Sequence, residues 1–171
     1  MLRLRHPVGM LFAPVLLTAA DLGTVRRRAA GYRSSAVDAT LIRVRPGVFV
    51  REDDWRRAQP EAQVVARARA LTLASAQPPV VSHESAAAVH GLPLFRAHPT
   101  HVHISLDDDR PGAPTATIRH RSQLRAGEVV EIDGIHVTSL ERTVADVART
   151  AGFEQAVVIA DAALRLVAGA R

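Results

Sequence analysis

Glu128-Val-Val-Glu-Ile-Asp-Gly-Ile-His-Val-Thr-Ser-Leu-Glu141 carries the instructions that set the fold class. Two β-rich runs, Glu128–Ile132 and Ile135–Thr138, flank Asp133-Gly134. That dipeptide tolerates the positive φ values a two-residue hairpin turn requires. Thr138-Ser-Leu-Glu141 then has the form of a capping box, with a hydroxyl at the helix N-cap and a carboxylate three residues on. Leu140, Val144 and Val147 follow at one-turn spacing, so the helix has an apolar side. Gly152 ends it, and a last helix runs from about Phe153 to Val167. A hairpin that leads straight into a helix with one apolar side places sheet and helix on a shared core, which is α/β architecture.

Upstream, His101–Ser105 and Thr115–His120 read as strands around the loop Leu106-Asp-Asp-Asp-Arg-Pro-Gly112. Pro60 suits the first turn of a helix through about Ala74. Ser82 caps a two-turn helix that Gly91 ends in the left-handed conformation, and Pro93 prevents its continuation. Nearer the N-terminus, a helix from Thr18 to about Ala30 is broken at Gly31. A short second helix, capped by Ser34 or Ser35, reaches about Thr40. Leu41–Arg45 and Val48–Val50 form strands around Pro46-Gly47, a pair suited to a type II turn, which leaves the hairpin register open. Helix, turn, helix and hairpin is the order of a winged helix. Strand alternation places Arg43 and Arg45 together on one face of the wing. Glu52–Gln59 is a charged connector. The expected organisation is a winged-helix-like module over 1–57, then an α/β module over 58–171 with a mixed, largely antiparallel sheet and packed helices.

The 171 residues are 47% hydrophobic and 23% charged, enough to bury a real core and outside the range of disordered chains. No apolar run approaches the length of a membrane span. The absence of cysteine excludes disulfides, thiolate metal sites and a cysteine nucleophile. Net charge is +5, unevenly placed: residues 1–57 hold eleven Arg against five acids, +6, and residues 58–171 hold eleven against twelve, −1. A basic module joined to a near-neutral one has the electrostatics of a nucleic-acid reader. Arg26, Arg27 and Arg28 lie at the C-terminal end of the first helix, and Arg33, Ser34 and Ser35 at the start of the second. Met1–Ala20 has the order of a secretory signal, with Arg3, Arg5 and His6 before an apolar stretch and Thr18-Ala-Ala20 after it. Pro14 interrupts that stretch, and Thr18 as N-cap with Asp21 at N3 gives the rival, favoured helical reading. The helical reading implies a cytoplasmic protein.

Enzymatic chemistry finds little support. His83 and His90 are seven residues apart, about 10 Å along a helix, too far to share an ion. They read as polar residues on a helix packed against a sheet. His101 and His103 share one face of a strand, with His98 and His120 near, so a zinc site with Glu84 as base is the hydrolase alternative. Asp107, Asp108 and Asp109 lack the alternating ligands of a calcium loop and read as a solvated turn. No phosphate-binding glycine loop or nucleophile elbow occurs. No cofactor, resident metal or enzymatic activity is expected.

Three stretches together resemble a known family. Arg43-Val-Arg-Pro-Gly-Val-Phe-Val50 is similar to the wing that closes the N-terminal domain of AbiEi-type antitoxins. Val81-Ser-His-Glu-Ser-Ala-Ala87 with His90-Gly-Leu-Pro93 resembles their S-H-x-S-A-A element, which contains His83, Glu84 and Ser85. Asp133-Gly-Ile-His-Val-Thr-Ser-Leu-Glu-Arg-Thr-Val-Ala-Asp146 resembles their D-G-x-x-V-T-S-x-x-R-T-x-x-D element, with Arg142 and Asp146. The likeness spans about residues 15–165 in the same order. It implies a cytoplasmic antitoxin that represses its own promoter on double-stranded DNA and counters a nucleotidyltransferase-like toxin without forming a stable complex. Arg26–Arg28, Arg43 and Arg45 would meet phosphates, and Arg33, Ser34 and Ser35 phosphates or base edges. Gly31 to Leu41 leaves about two turns for the second helix, shorter than in the family, and phosphate binding depends on charge and reach rather than helix length. Arg142 and Asp146, four apart, read as a helix ion pair, or as part of a surface that neutralises the toxin. The same elements precede Vsr-like nuclease domains in larger proteins, so an accessory domain of a split endonuclease is the alternative.

Overall fold

A computed structural model describes residues 14–22, 40–96, 100–107 and 116–169. Its first strand, β1 (Leu16–Thr18), lies within the stretch that resembles a signal sequence. The chain turns helical at 19–22, and the start is capped as the sequence suggests. Thr18 N and Oγ1 both donate to Asp21 Oδ2, at 2.8 and 2.6 Å, and Asp21 N donates back to Thr18 Oγ1 at 3.3 Å. The expected continuation of that helix to about Ala30, and residues up to 39 of the expected second helix, lie outside the described residues.

β2 (Leu41–Arg45) and β3 (Val48–Arg51) form the expected hairpin, and β1 pairs with the free edge of β3 to give a three-stranded antiparallel sheet in the order β1-β3-β2. The charged connector is itself a helix, α1 (Glu52–Arg57), with acids in its first turn and arginines in its last, each matching the helix dipole. α2 (Pro60–Ala74) follows with Pro at its first position.

The second sheet has five strands, β4 (Val80–Val81), β5 (Val102–Leu106), β6 (Thr117–Arg121), β7 (Val129–Ile132) and β8 (Ile135–Thr138), in the order β6-β5-β4-β8-β7. The β7–β8 turn has φ +50° at Asp133 and +79° at Gly134, the type I′ signature that the dipeptide predicts. The expectation of a largely antiparallel sheet needs correction. β5 runs parallel to β6 and β4 parallel to β8, so parallel and antiparallel pairings are equal in number. In the β5–β6 pair the parallel register sets Val102 opposite Thr117. No local pattern encodes such a pairing.

α3 (His83–Val89), α4 (Leu140–Thr150) and α5 (Phe153–Gly169) complete the fold. α3 lies between two apolar clusters. Ala86 and Val89 join Leu71 of α2 and Val81, Ile104 and Val137 of the sheet, while Ala87 joins Val147 of α4 and Ile159 of α5. Its small side chains let sheet and helices close on it from both sides. The C-terminus of α3 ends as Gly91 predicts: Gly91 has φ +77°, and Leu92 N–H and Gly91 N–H donate to the carbonyls of Ala87 and Ala88, a Schellman arrangement. The last capping box is displaced by one residue. Ser139, not Thr138, is the N-cap of α4 and accepts from Arg142 N at 3.3 Å. Thr138 belongs to β8, opposite Val129, and its buried hydroxyl shares a 2.7 Å hydrogen bond with Thr143. No helix among the described residues is long and apolar enough to cross a membrane.

Candidate functional site

In the β2–β3 hairpin, a bulge changes which arginines stand together. Ile42 and Arg43 pair with Val50 and Phe49, but Arg45 pairs with Val48, so Val44 is an extra residue in β2. One inserted residue moves everything beyond it to the opposite side of the sheet. Directly opposed residues share a side, so Arg43 lies with Phe49 and Arg45 with Val48, which is buried. The expectation that Arg43 and Arg45 share one face is therefore overturned. Arg43 is exposed, whereas Arg45 is half-buried, with Nη2 donating to Thr117 Oγ1 of the second sheet at 2.9 Å. Burial, then the nearby Arg67 guanidinium, lower the Arg45 pKa. The place beside Arg43 is taken by Arg51, which is exposed and pairs with Leu41. Its signal in the sequence was its spacing of two from Phe49, visible once β3 is extended by one residue. Arg26, Arg27, Arg28, Arg33, Ser34 and Ser35 lie outside the described residues.

The residues of the other two resembling elements converge on a single cluster. Asp146 of α4, 2% exposed, accepts from Arg142 Nε through both carboxylate oxygens at 2.9 and 3.0 Å, and also from Arg149. The expected i, i+4 ion pair is present. Arg142 also donates from Nη1 to Glu128 at 2.8 Å and from Nη2 to Ser122, and so ties α4 to the strand ends on either side. The Arg125 N–H above all, with help from the Arg142 guanidinium, holds the Glu128 carboxyl below its ordinary pKa although desolvation acts the other way.

Beside this ion network, three imidazoles pack together. His83, buried at the start of α3, stacks on His120 of β6 with ring centroids 3.4 Å apart, and His103 of β5 lies 5.2 Å from His120. His103 Nδ1 and His120 Nε2 are 3.0 Å apart, so one of them donates to the other. His83 Nδ1 is bonded to Ser82 Oγ at 3.0 Å, and Ser85 Oγ accepts from His103 N at 3.0 Å. Ser82 is the N-cap of α3 by position, yet its side chain holds His83 instead of an orphan N–H. Glu84 lies 3.7 Å from His103 Nε2. Burial, then the charge of His120, lower the pKa of both His83 and His103 to about 4, and burial lowers that of His120. All three rings are therefore neutral at pH 7 and bonded to neighbours. His90 is not part of the cluster; its Nε2 donates to the Thr138 carbonyl at 2.7 Å. His101, paired with His103 in the sequence, is exposed, and His98 lies outside the described residues.

The zinc alternative called for nitrogens that point at one centre. Here His103 Nδ1 and His120 Nε2 are bonded to each other, His101 is exposed, and among the described residues no group of three or more His, Asp or Glu side chains is arranged to hold a metal ion. The cluster joins four secondary-structure elements, and its geometry is that of a structural junction: α3 is bound to β5 and stacked on β6 through Ser85, His83 and His120, and α4 is tied to the end of β6 through Arg142 and Ser122.

Comparison with models of protein families, with curated proteins and with solved structures returned no match.

Proposed function

We propose that the chain is a DNA-binding transcriptional regulator of the AbiEi antitoxin type. It acts in the cytoplasm, represses its own promoter through the N-terminal module, and counteracts a nucleotidyltransferase-like toxin. The reading is carried by the outer face of the β1-β3-β2 sheet, where Arg43 and Arg51 stand exposed on adjacent strands. Their diagonal placement, about 7–8 Å apart as cross-strand diagonal neighbours are, suits two phosphates of one duplex. The +6 charge of residues 1–57 supports the same reading, because counterion release from phosphates supplies most of the affinity for DNA. The toxin link rests on the likeness of the second and third elements, which meet in the junction of the α/β module.

Fluorescence anisotropy with the protein's own upstream DNA and with a scrambled duplex, across a salt series, tests this. The full chain is expected to prefer its promoter and to show a steep salt dependence. Arg43→Ala and Arg51→Ala should each reduce the slope of log K against log salt by about one and weaken both duplexes alike. Arg45→Ala should leave the slope unchanged, since its guanidinium is turned towards Thr117. Equal, weak binding to both duplexes, or an unaltered slope in Arg43→Ala and Arg51→Ala together, would refute the reading.

A further inference from the structure

Four of the 17 residues of α5, Glu154, Gln155, Asp161 and Arg165, are polar or charged, yet the helix is enclosed on one side only. On that side Ile159 and Ala163, with Ala162 and Leu166, pack on Val147 of α4 and Ala87 of α3. Gln155 is buried there too, its Oε1 accepting from Phe95 N at 2.6 Å. On the opposite side Phe153, Val157, Leu164 and Val167 are all exposed, Phe153 by 79% and Leu164 by 72%. Ala160 lies among them, half-buried. A helix that is apolar on both sides is ordinarily covered on both.

The spacing of the exposed residues gives the shape of what fits them. Phe153, Val157, Ala160, Leu164 and Val167 recur at intervals of four, three, four and three, the alternation of a coiled-coil seam. At 3.6 residues per turn all five fall within an arc of about 80°, which matches the ridge of one other helix. Glu154, Asp161 and Arg165 line one flank of the seam, with Asp161 and Arg165 joined at 2.8 Å. Two acids and one base do not favour an acidic membrane surface or nucleic acid. The four large apolar side chains expose of the order of 400 Å² per copy, the size of patch that marks an interaction site.

A second copy of the same helix answers each feature when it crosses the first antiparallel, with the two-fold axis at Ala160. The short side chain at the axis lets the backbones approach. Phe153 then comes level with Val167 of the second copy, and Leu164 with its Ala156, so larger side chains meet smaller ones in both directions. On the flank Glu154 comes nearly level with Arg165 of the second copy, and the symmetry makes that charge pair twice. In a parallel pair the position opposite Asp161 is Ala156, and the charge match is lost. With its flanking residues the pair encloses roughly 1,000–1,200 Å² in total, enough for a specific but reversible contact and less than permanent dimers bury.

We propose that α5 is the surface through which two copies of this chain associate reversibly, as an antiparallel helix pair crossing at Ala160. This contact does not depend on the DNA reading, and its test contains no nucleic acid.

Sedimentation equilibrium of the full chain over a concentration series reads the association, and a monomer–dimer equilibrium with Kd on the order of 10 µM is expected. Leu164→Glu, at an exposed position, should raise Kd at least about tenfold and leave the melting temperature of the dilute protein unchanged. Because the chain has no cysteine, single introduced thiols report the geometry. Under mild oxidation Ala160→Cys should give disulfide-linked dimers. Phe153→Cys should give none with itself and should cross-link to Val167→Cys. Cross-linking of Phe153→Cys to itself would mean parallel helices and overturn the antiparallel pair. A chain that is monomeric at every concentration, or a dimer indifferent to Leu164→Glu, overturns the contact. A melting temperature lowered by Leu164→Glu in such a monomer places another part of the same chain over the seam.

Discussion

Replacing Asp146 by alanine is expected to reduce the unfolding free energy by about 3–5 kcal/mol, read as a large fall in the urea midpoint at nearly unchanged slope. The carboxylate is 2% exposed and accepts from Arg142 and Arg149, which anchor α4 to the rest of the module. The two guanidiniums are unequal in what they lose. Arg149 is 62% exposed and returns to water, whereas Arg142 is 14% exposed and would stay enclosed with only Glu128 and Ser122 as partners. Most of the cost therefore lies in the Arg142 charge left under-compensated. The double variant Arg142→Met, Asp146→Leu should recover much of the loss, since two apolar groups do not carry the desolvation cost of one stranded ion. A loss below about 1 kcal/mol in Asp146→Ala would show that the pair is a surface interaction in energetic terms.

Acid should destabilise the same module through its histidines. In the unfolded chain the imidazoles of His83 and His103 take up protons near pH 6.5, whereas in the native state burial, then His120, hold them to about 4. Between these values the unfolded state binds more protons, so stability falls as pH drops. The contribution is whole above about pH 6.5 and is lost progressively down to about pH 4. Each pH unit of difference corresponds to about 1.4 kcal/mol per group, and because water reaches part of the cluster the two together are expected to contribute roughly 3 kcal/mol across that window. Opposing charges face these rings: Asp146 favours protonated His83 and His120, while Arg142 disfavours protonated His83 and His101 disfavours protonated His103. Urea midpoints measured from pH 7 to pH 4 should decline less steeply in His83→Asn, His103→Gln than in the parent. Asparagine is chosen at 83 because the residue there has φ +52°. Equal decline in variant and parent would place the acid sensitivity elsewhere, in the carboxylate pairs.

Local chemistry was legible where the partners are neighbours in the chain. Asp133-Gly134 gave its turn type, Gly91 its helix end, and Thr18 with Asp21 its helix start, because each depends on φ preferences or on a side chain reaching three residues along. The readings that failed depended on distant backbone. The Val44 bulge accommodates a Pro-Gly turn in a strand pair whose other face is buried, and the alternation of Arg43 and Arg45 says nothing about an inserted residue between them. Thr138 had the residue type of a cap, but pairing with Val129 and the bond to Thr143 hold it in the strand, so the helix begins one residue later.

The cluster shows the same division. The sequence by itself determined the α/β class, the basic first third, the hairpins and the Arg142–Asp146 spacing, since composition and short-range periodicity suffice for those. Only the tertiary structure decided that β5 and β6 run parallel, which brings His103 and His120 together, and that α3 places His83 over them. It also turned Arg45 inward to face Arg67, and left Arg51 to join Arg43. Those arrangements arise from burial shared among segments tens of residues apart, and no single stretch of chain contains both sides of such a contact.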